Sequence, residues 1–553
     1  MRTLSKPLLG SIVLLLALQA AAAETALHSV TGYTPTSSGL RDFSVLVFAD
    51  DGRIIATGDE ALLGDYPDAM QIDGDGRFVL PGLTDAHAHV LHLGLLAVSL
   101  DLTGTPSLRE AVRQIGEYAS ANPHVSWIQG RGWNQVLWPV REYPCAADID
   151  TVVNDRPVWL ERVDGHAGWA NSAAMRISGI DNDTPDPPGG KIMRDERGGA
   201  TGVLIDEAMN LVEAHLPVPG KDDIRRAYRE AIAKLLSLGI TSVHDAGISI
   251  GEAEVYMSMA DDGELGLRIY AMLEAAGDNL DAMGEPLIGY GDDRLDIRSV
   301  KLYADGALGS RGAALLEPYS DDVENLGLPF FTTEELHSFV SRANGMGFQV
   351  GIHAIGDRGN RMALDAFARG RGDSSSPLRN RVEHAQIIAL DDIPRFAKLG
   401  VIASMQPVHA TSDMNMAEDR VGPERIKGGY AWRRLLDSGA VIASGSDFPV
   451  ELANPFHGLY AAVTRQDRRG LPAGGWYRDQ ALTRAEALYS FTLAAAYAAH
   501  QEQRLGSLEP GKWADFIVVD RDYFEIPAAD IDDIRVLETW VGGHRVYTAS
   551  KGT

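Results

Sequence analysis

Residues 79–89 read Val-Leu-Pro-Gly-Leu-Thr-Asp-Ala-His-Ala-His, an apolar stretch that ends in two histidines, His87 and His89. In a β-strand, side chains two residues apart point to the same face, so the two imidazoles project together. Two neutral imidazoles at the carboxyl end of a barrel strand suit a first-row divalent metal ion. A His-x-His pair alone is weak evidence, and its interpretation depends on the rest of the chain.

Three further polar side chains stand at the ends of separate apolar runs. His353 and His384 each end such a run, and Asp447 follows a third. Taken singly, each has an ordinary alternative, a core histidine or a loop aspartate that caps a helix. Barrel enzymes keep their catalytic groups at the carboxyl ends of strands. Four histidines and an aspartate in such positions therefore indicate one metal site.

Lys301 is unusual for its position, because it stands inside the apolar run Ser299–Tyr303. Burial disfavours the charged ammonium and lowers the pKa of a lysine, which leaves a free amine. A free amine can react with carbon dioxide to form a carbamate, whose two oxygens can bridge two cations. The alternative is a strand lysine that pairs with Asp305 or reaches solvent.

The middle of the chain alternates short apolar runs with helical patterns, as parallel β/α units do. The eight runs that we interpret as strands are Leu83–His89, Thr241–Asp245, Leu267–Leu273, Ser299–Tyr303, Gln349–His353, Val382–His384, Val401–Met405 and Val441–Gly445. The sequence therefore predicts an α/β fold, a (β/α)8 TIM barrel over residues 79–504. Residues of about 98–225 are too many for one crossover and are predicted to be an insertion after the first strand.

The predicted insertion is rich in tryptophan. It holds five of the nine tryptophans in the chain, namely Trp127, Trp133, Trp138, Trp159 and Trp169. One interpretation is ordinary core packing of the insertion. The other is an aromatic lid over the site, which would favour substrates with an apolar or aromatic group.

Both ends of the chain are rich in short β-like runs separated by turn residues, such as 44–48 near the start and 515–519 near the end. One small β-sandwich built from residues 24–78 and 505–553, and interrupted by the barrel, explains this pattern.

Composition and charge exclude some classes of protein. A hydrophobic share of 45% with a charged share of 23% is that of a folded globular protein. The formal net charge of −27 argues against nucleic acid or an anionic membrane surface as a partner, since both favour Lys and Arg. General solubility is the alternative explanation of this acidity. Cys145 is the only cysteine, so no intrachain disulfide can form, and a metal site must rest on histidine and carboxylate.

Residues 1–23 are predicted to be a secretory signal peptide. Arg2 and Lys6 form a positive start, and Leu8–Leu18 is an apolar run too short to span a bilayer comfortably. The small residues up to Ala23 offer a cleavage site. The alternative is an uncleaved N-terminal anchor. We therefore expect a periplasmic or secreted protein that has no contact with the membrane after cleavage near Ala23.

Seven stretches of the sequence, taken in order, resemble the amidohydrolase superfamily. They are LPGLTDAHAH (80–89), GITSVHDAG (239–247), VKLYADGALGSRGAAL (300–315), GIHAIGD (351–357), RVEHAQ (381–386), SGSDFPV (444–450) and GSLEPGKWADFIVVD (506–520). Within the superfamily the sequence resembles the amidohydrolase 3 branch, also called YtcJ-like, which includes N-substituted formamide deformylase. The resemblance runs from about residue 27 to 547 and implies the same barrel and sandwich.

The resemblance also implies a site with two divalent metal ions, with zinc expected. The residues that match the six ligand positions are His87, His89, Lys301, His353, His384 and Asp447. By resemblance, the first two and Asp447 hold the more buried ion, and the other two histidines hold the second. Lys301, carbamylated by carbon dioxide, bridges them. Two such ions share a hydroxide that attacks a carbonyl, and Asp447 passes the proton to the leaving group.

This chemistry predicts hydrolysis of amide-type carbon–nitrogen bonds, other than peptide bonds, in a small-molecule substrate. An esterase or lactonase would use the same metals, and a non-catalytic regulatory protein of the same fold is the alternative of another class. Deaminases of the superfamily usually carry a glutamate where Gly356 stands here, which argues against deamination. Asp164, His166 and Arg311 are candidates for substrate binding, with a turn or a salt bridge as the alternative. The sequence does not decide whether the chain forms a homo-oligomer.

Overall fold

The computed structural model describes residues 24–550, apart from 164, 188, 276 and 370–376. The predicted signal peptide and the candidate residue Asp164 lie outside these described residues. No helix in the described part of the chain is long and apolar enough to cross a membrane.

The described chain begins with seven strands that contribute to two sheets. They are β1 (Glu24–His28), β2 (Thr31–Thr36), β3 (Gly39–Phe43), β4 (Val45–Ala49), β5 (Ile54–Gly58), β6 (Met70–Asp73) and β7 (Phe78–Pro81). One sheet has the order β5-β4-β1-β6. β2, β3 and β7 belong to a second sheet, which is completed by strands from the other end of the chain.

The barrel starts directly after β7, with strand β8 (Leu83–Ala88) and helix α1 (Val90–Val98). An insertion follows that has a six-stranded sheet of its own. Its strands are β9 (Leu100–Asp101), β10 (Ile128–Trp133), β11 (Val158–Arg162), β12 (Ala167–Ala170), β13 (Gly190–Arg194) and β14 (Ala200–Asp206). Its helices are α2 (Leu108–Ala121), α3 (Ala146–Asp150), α4 (Ser172–Ile177) and α5 (Asn210–Glu213).

All five tryptophans of the insertion are buried inside it. Trp133, Trp138 and Trp169 pack in one apolar cluster, and Trp127 and Trp159 pack in a second. Every other member of the two clusters also comes from the insertion or from the chain just after it. Ordinary core packing is therefore the correct interpretation of these residues, and the aromatic lid is wrong.

Seven more barrel strands follow the insertion. They are β15 (Ile240–Ile248), β16 (Arg268–Glu274), β18 (Leu295–Tyr303), β19 (Gln349–Ala354), β20 (Arg381–His384), β21 (Ile402–Met405) and β22 (Ile442–Ser444). A short side strand, β17 (Leu287–Gly289), pairs with β18 outside this order. Neighbours pair in parallel in the order β8-β15-β16-β18-β19-β20-β21-β22. The eight predicted strands, and with them the nearly closed parallel barrel, are confirmed.

Helices alternate with these strands along the chain. They are α6 (Lys221–Ser237), α7 (Ile250–Asp261), α8 (Asn279–Met283), α9 (Tyr290–Asp293), α10 (Thr333–Gly345), α11 (Asp357–Arg369), α12 (Ile393–Leu399), α13 (Pro407–Asp413), α14 (Ala417–Arg425), α15 (Trp432–Asp437), α16 (Pro455–Thr464), α17 (Arg484–Ser490) and α18 (Leu493–Ala498). In α6 the buried residues recur at helical spacing, which places one apolar face on the barrel.

The C-terminal end of the chain returns to the first strands. It forms β23 (Phe516–Val519), β24 (Val536–Val541) and β25 (His544–Thr548). β23 pairs with β7, so strands from both chain ends share a six-stranded sheet of order β25-β24-β23-β7-β2-β3. Asp515 joins this sheet to the amino-terminal end of the barrel, because both its oxygens accept hydrogen bonds from Arg268 at 2.6 and 2.9 Å.

Candidate metal centre

The carboxyl ends of the barrel strands bring the six predicted ligands together. The ring centroids of His87 and His384 are 4.7 Å apart, and those of His384 and His353 are 4.5 Å apart. Nζ of Lys301 lies 3.0 Å from Nε2 of His87. Asp447 follows the last barrel strand, and its carboxylate faces the same cluster. Residues spread over 360 positions of sequence therefore converge because parallel strands end at one rim.

Asp447 stands between two groups of histidines. Its Oδ1 lies 3.2 Å from Nε2 of His89 and 3.7 Å from Nε2 of His87. Its Oδ2 lies 3.7 Å from Nε2 of His409. Burial by itself raises the pKa of Asp447, yet the hydrogen bond from His89 and the neighbouring histidines bring it well below its usual range. The side chain is therefore a charged carboxylate with one oxygen facing each group of histidines.

The backbone at Asp447 is as unusual as its side chain. Its φ is 64°, and that of His384 is 71°, so two of the six predicted ligands adopt the left-handed conformation that L side chains rarely take. At His384 this turn has a direct consequence. Strict alternation along β20 points Arg381 and Glu383 into the barrel, and the left-handed turn brings the next side chain to the rim as well.

Three of the imidazoles, those of His87, His353 and His384, are held in the neutral form. Burial, followed by the charge of Lys301, lowers the pKa of His87 to about 4 and that of His353 to about 3. Nδ1 of His384 donates to Oε1 of Gln406 at 2.8 Å, which leaves Nε2 of that ring as a free lone pair. Neutral imidazole is the form that binds a metal ion.

Lys301 is buried at the centre of the cluster, with 1% of its surface exposed. The sequence left open that it reaches solvent or pairs with Asp305. Its burial rules out the first, and the carboxylate of Asp305 instead accepts N–H bonds from Ala314, Ile355 and Gly356 at 2.8 to 2.9 Å. Burial lowers the pKa of Lys301 to about 8, so about a tenth of the side chain is free amine at pH 7.

A buried polar network that we did not predict stands behind His87. Nδ1 of His87 donates to Oε2 of Glu383 at 2.6 Å. Glu383 also forms an ion pair with Arg381 at 2.7 Å, and the guanidinium of Arg381 donates to Nδ1 of His244 at 2.9 Å. Burial alone would raise the pKa of Glu383, but Arg381 and His87 hold it well below its usual range. The signal in the sequence was an arginine and a glutamate at alternate positions of a buried strand.

Asp85 links the first and last barrel strands at the level of the ligands. Its carboxylate accepts the hydroxyl of Ser446 at 2.6 Å and the backbone N–H of the same residue at 3.0 Å. The N–H of Asp447 then donates to the carbonyl of His87 at 2.8 Å. These bonds fix the loop that carries Asp447 relative to the strand that carries His87.

The donors present fit divalent metal ions. Ligand atoms of His87, His89 and Asp447 all lie within 4.8 Å of one another, and so do those of His384, His409 and Asp447. Imidazole and carboxylate are the donors that zinc and related first-row ions bind in proteins. His409 was not among the predicted ligands, because it lies on helix α13, after β21, and not at the end of a strand.

The described candidates for substrate binding have carboxylate partners. Nδ1 of His166 lies 2.9 Å from Asp206, and three quarters of the His166 side chain is exposed. Arg311 forms a salt bridge with Asp321 at 2.9 Å. Their roles in substrate binding stay predictions.

Comparison with known proteins agrees with this geometry. The model of the amidohydrolase family (Amidohydro_3) matches residues 71–547. The chain is 35% identical to Protein LONG AFTER FAR-RED 3 of Arabidopsis thaliana, over 91% of this chain and 89% of that one. It is 29% identical to N-substituted formamide deformylase of Arthrobacter pascens, over 90% and 94%. An uncharacterized metal-dependent hydrolase from Pyrococcus furiosus superposes with a TM-score of 0.76 at 29% identity, over 91% of this chain and all of that one.

Proposed function

This chain belongs to the amidohydrolase family, and from that premise we propose that it hydrolyses an amide-type carbon–nitrogen bond, other than a peptide bond, in a small molecule. The convergence of four predicted histidines, Asp447 and a buried lysine on one rim carries the proposal. The relationship to a protein named N-substituted formamide deformylase favours a carbon–nitrogen bond over an ester.

The residues at the rim would hold two divalent cations, for which we propose zinc. His87, His89 and Asp447 would bind the more buried cation, and His353 and His384 the other. Lys301, as its carbamate with carbon dioxide, would bridge them. Bound there, the cations would lower the pKa of a water and polarise the substrate carbonyl.

The protein's own groups would orient the site and move the proton. Glu383 would keep the proton of His87 on Nδ1, so that Nε2 faces the cluster. Oδ2 of Asp447, on the side away from His89, would accept the proton of the attacking water and donate it to the leaving nitrogen. Asp85 and Ser446 would keep Asp447 in place during both transfers.

The test is turnover by purified, zinc-loaded protein on matched small molecules. The panel holds N-formyl and N-acyl amines, the corresponding esters, and lactones. We expect the amide-type compounds to give the highest kcat/KM. Higher kcat/KM on esters or lactones would reassign the bond type. No turnover on any class, despite two bound metals, would favour a regulatory protein that kept the fold.

We further propose that the chain is exported and that its mature form begins near Glu24. The positively charged start, the short apolar run and the alanines before Glu24 support this. N-terminal sequencing of protein from the native host should return residues close to Glu24, whereas a sequence that starts at Met1 would contradict export with cleavage.

A further inference from the structure

We propose that His409 is an additional ligand of the cation that His384 binds, beyond the six residues that the sequence resemblance implies. This inference rests on the proposed two-metal function. It follows from how α13 is placed, from the geometry of the His409 ring, and from the hydrogen bonds that Nε2 of this ring lacks.

Helix α13 is built against the loop that carries His384. Pro407 occupies the first turn of the helix, where its missing N–H has no cost. Just before it, Oε1 of Gln406 accepts the hydrogen bond from Nδ1 of His384. At its far end, Asp413 accepts a hydrogen bond from the hydroxyl of Tyr430 at 2.6 Å and another from Gln386, two residues after His384. Both ends of α13 are thus fixed to the surroundings of His384.

His409 lies between these two anchors, on the side of α13 that faces the metal centre. Its ring is nearly parallel to that of His384, with centroids 5.9 Å apart and an interplanar angle of 20°. Nε2 of His409 is 3.7 Å from Oδ2 of Asp447. The ligand atoms of these three side chains lie within 4.8 Å of one another, a separation that donors around one first-row ion can adopt with small adjustments.

Nε2 of His409 is buried, and it has no hydrogen-bond partner in the described part of the chain. Buried polar atoms in native proteins are nearly always satisfied, so this nitrogen requires a partner. Away from the metal centre, Nε2 of His500 has such a partner in the carbonyl of Leu378 at 3.1 Å. A cation beside His384 would satisfy the nitrogen of His409.

The experiment compares metal binding by the full-length mature protein and its His409→Ala variant, by competition with a chromophoric chelator. Cobalt(II) serves as a second probe, because its visible absorption reports on ligand number and type. His337→Ala removes a half-buried histidine of α10, whose Nδ1 lies 3.4 Å from the carbonyl oxygen of Ala366 on α11, and is the control. His409→Gln, which keeps a side chain of similar size, covers the case in which alanine impairs folding.

We expect wild type and His337→Ala to bind two ions. His409→Ala should keep one ion and bind the second at least about tenfold more weakly, since even residues behind the ligands contribute that much. Its cobalt spectrum should change for the second equivalent only. Equal affinity and an identical spectrum would overturn the inference, and a raised KM with unchanged metal binding would assign His409 to the substrate. Fewer than two ions in wild type would instead contradict the proposed function itself.

Discussion

Glu383 and His87 form a hydrogen bond of 2.6 Å between two side chains that are both completely buried. Arg381, which lies beside it and is also without exposure to solvent, and His87 keep the carboxylate charged. A charged group behind a ligand histidine fixes the orientation of the ring and raises its basicity towards a metal. The pair therefore connects the interior of the barrel to the metal centre.

Replacing Glu383 tests this connection. In Glu383→Gln the amide still offers an acceptor to His87 but carries no charge, so we expect metal affinity to fall about 10- to 100-fold. Arg381 loses its counterion, and stability should fall by about 3–5 kcal/mol. The measurements are metal affinity by chelator competition and the free energy of unfolding.

The double variant Arg381→Met/Glu383→Gln separates the two effects. It removes the uncompensated charge and should recover much of the stability while metal affinity stays low. If Glu383→Gln alone bound metal as tightly as wild type, Glu383 would have only a structural role.

A second buried ion pair, between Arg268 and Asp515, should contribute to the free energy of unfolding but not to turnover. In Asp515→Ala the guanidinium remains buried and unpaired, so we expect a loss of about 3–5 kcal/mol in the free energy of unfolding. The pair lies at the amino-terminal end of the barrel, so turnover per folded molecule should stay near that of wild type. Glu117→Ala breaks the exposed pair with Arg113 and should leave the free energy of unfolding nearly unchanged. Equal effects of the two substitutions would contradict this assignment.

The backbone at Asp447 makes a further prediction. Asparagine tolerates the left-handed conformation, so Asp447→Asn should keep the fold, while turnover falls by about 10²–10⁴ because the proton acceptor is lost. A β-branched residue does not tolerate it, and Asp447→Val should lower the free energy of unfolding by about 1–3 kcal/mol more than Asp447→Asn. Near-native turnover of Asp447→Asn would exclude this residue as the acceptor.

The sequence predicted those site residues that stand at the end of an apolar strand. A polar residue at the end of a buried strand points to the rim of a barrel, and this rule located His87, His353 and Asp447. It could not locate Glu383, because this residue lies one position before the strand end, where His384 already fitted the rule. Nor could it locate His409, which reaches the site from a helix and not from a strand.

The insertion was the least predictable region for a physical reason. Its strands are short, and its sheet mixes parallel and antiparallel pairs, so no single period marks it. The five tryptophans of the insertion are compatible with a buried core or with a binding surface. Only the burial of Trp133 and its neighbours distinguishes the two.

Lys301 separates the two-metal proposal from its alternatives. Nζ of Lys301 lies 3.0 Å from Nε2 of His87 in a buried cluster. Burial lowers the pKa of this lysine, so a fraction of the molecules carries it as the free amine. If its carbamate bridges two cations, Lys301→Ala removes an anionic ligand from both at once. We expect metal content to fall below two ions and turnover to fall by orders of magnitude, with the fold retained.

Two controls make the result specific to the carbamate. Lys301→Arg should not restore activity, because guanidinium stays protonated and cannot react with carbon dioxide. A short carboxylic acid added to Lys301→Ala should restore part of the turnover, because its two oxygens can occupy the space that the bridge leaves. The measurements are metal stoichiometry and kcat for wild type and each variant. If Lys301→Ala retained two metals and near-native turnover, a single-metal mechanism centred on His87, His89 and Asp447 would replace the bridge.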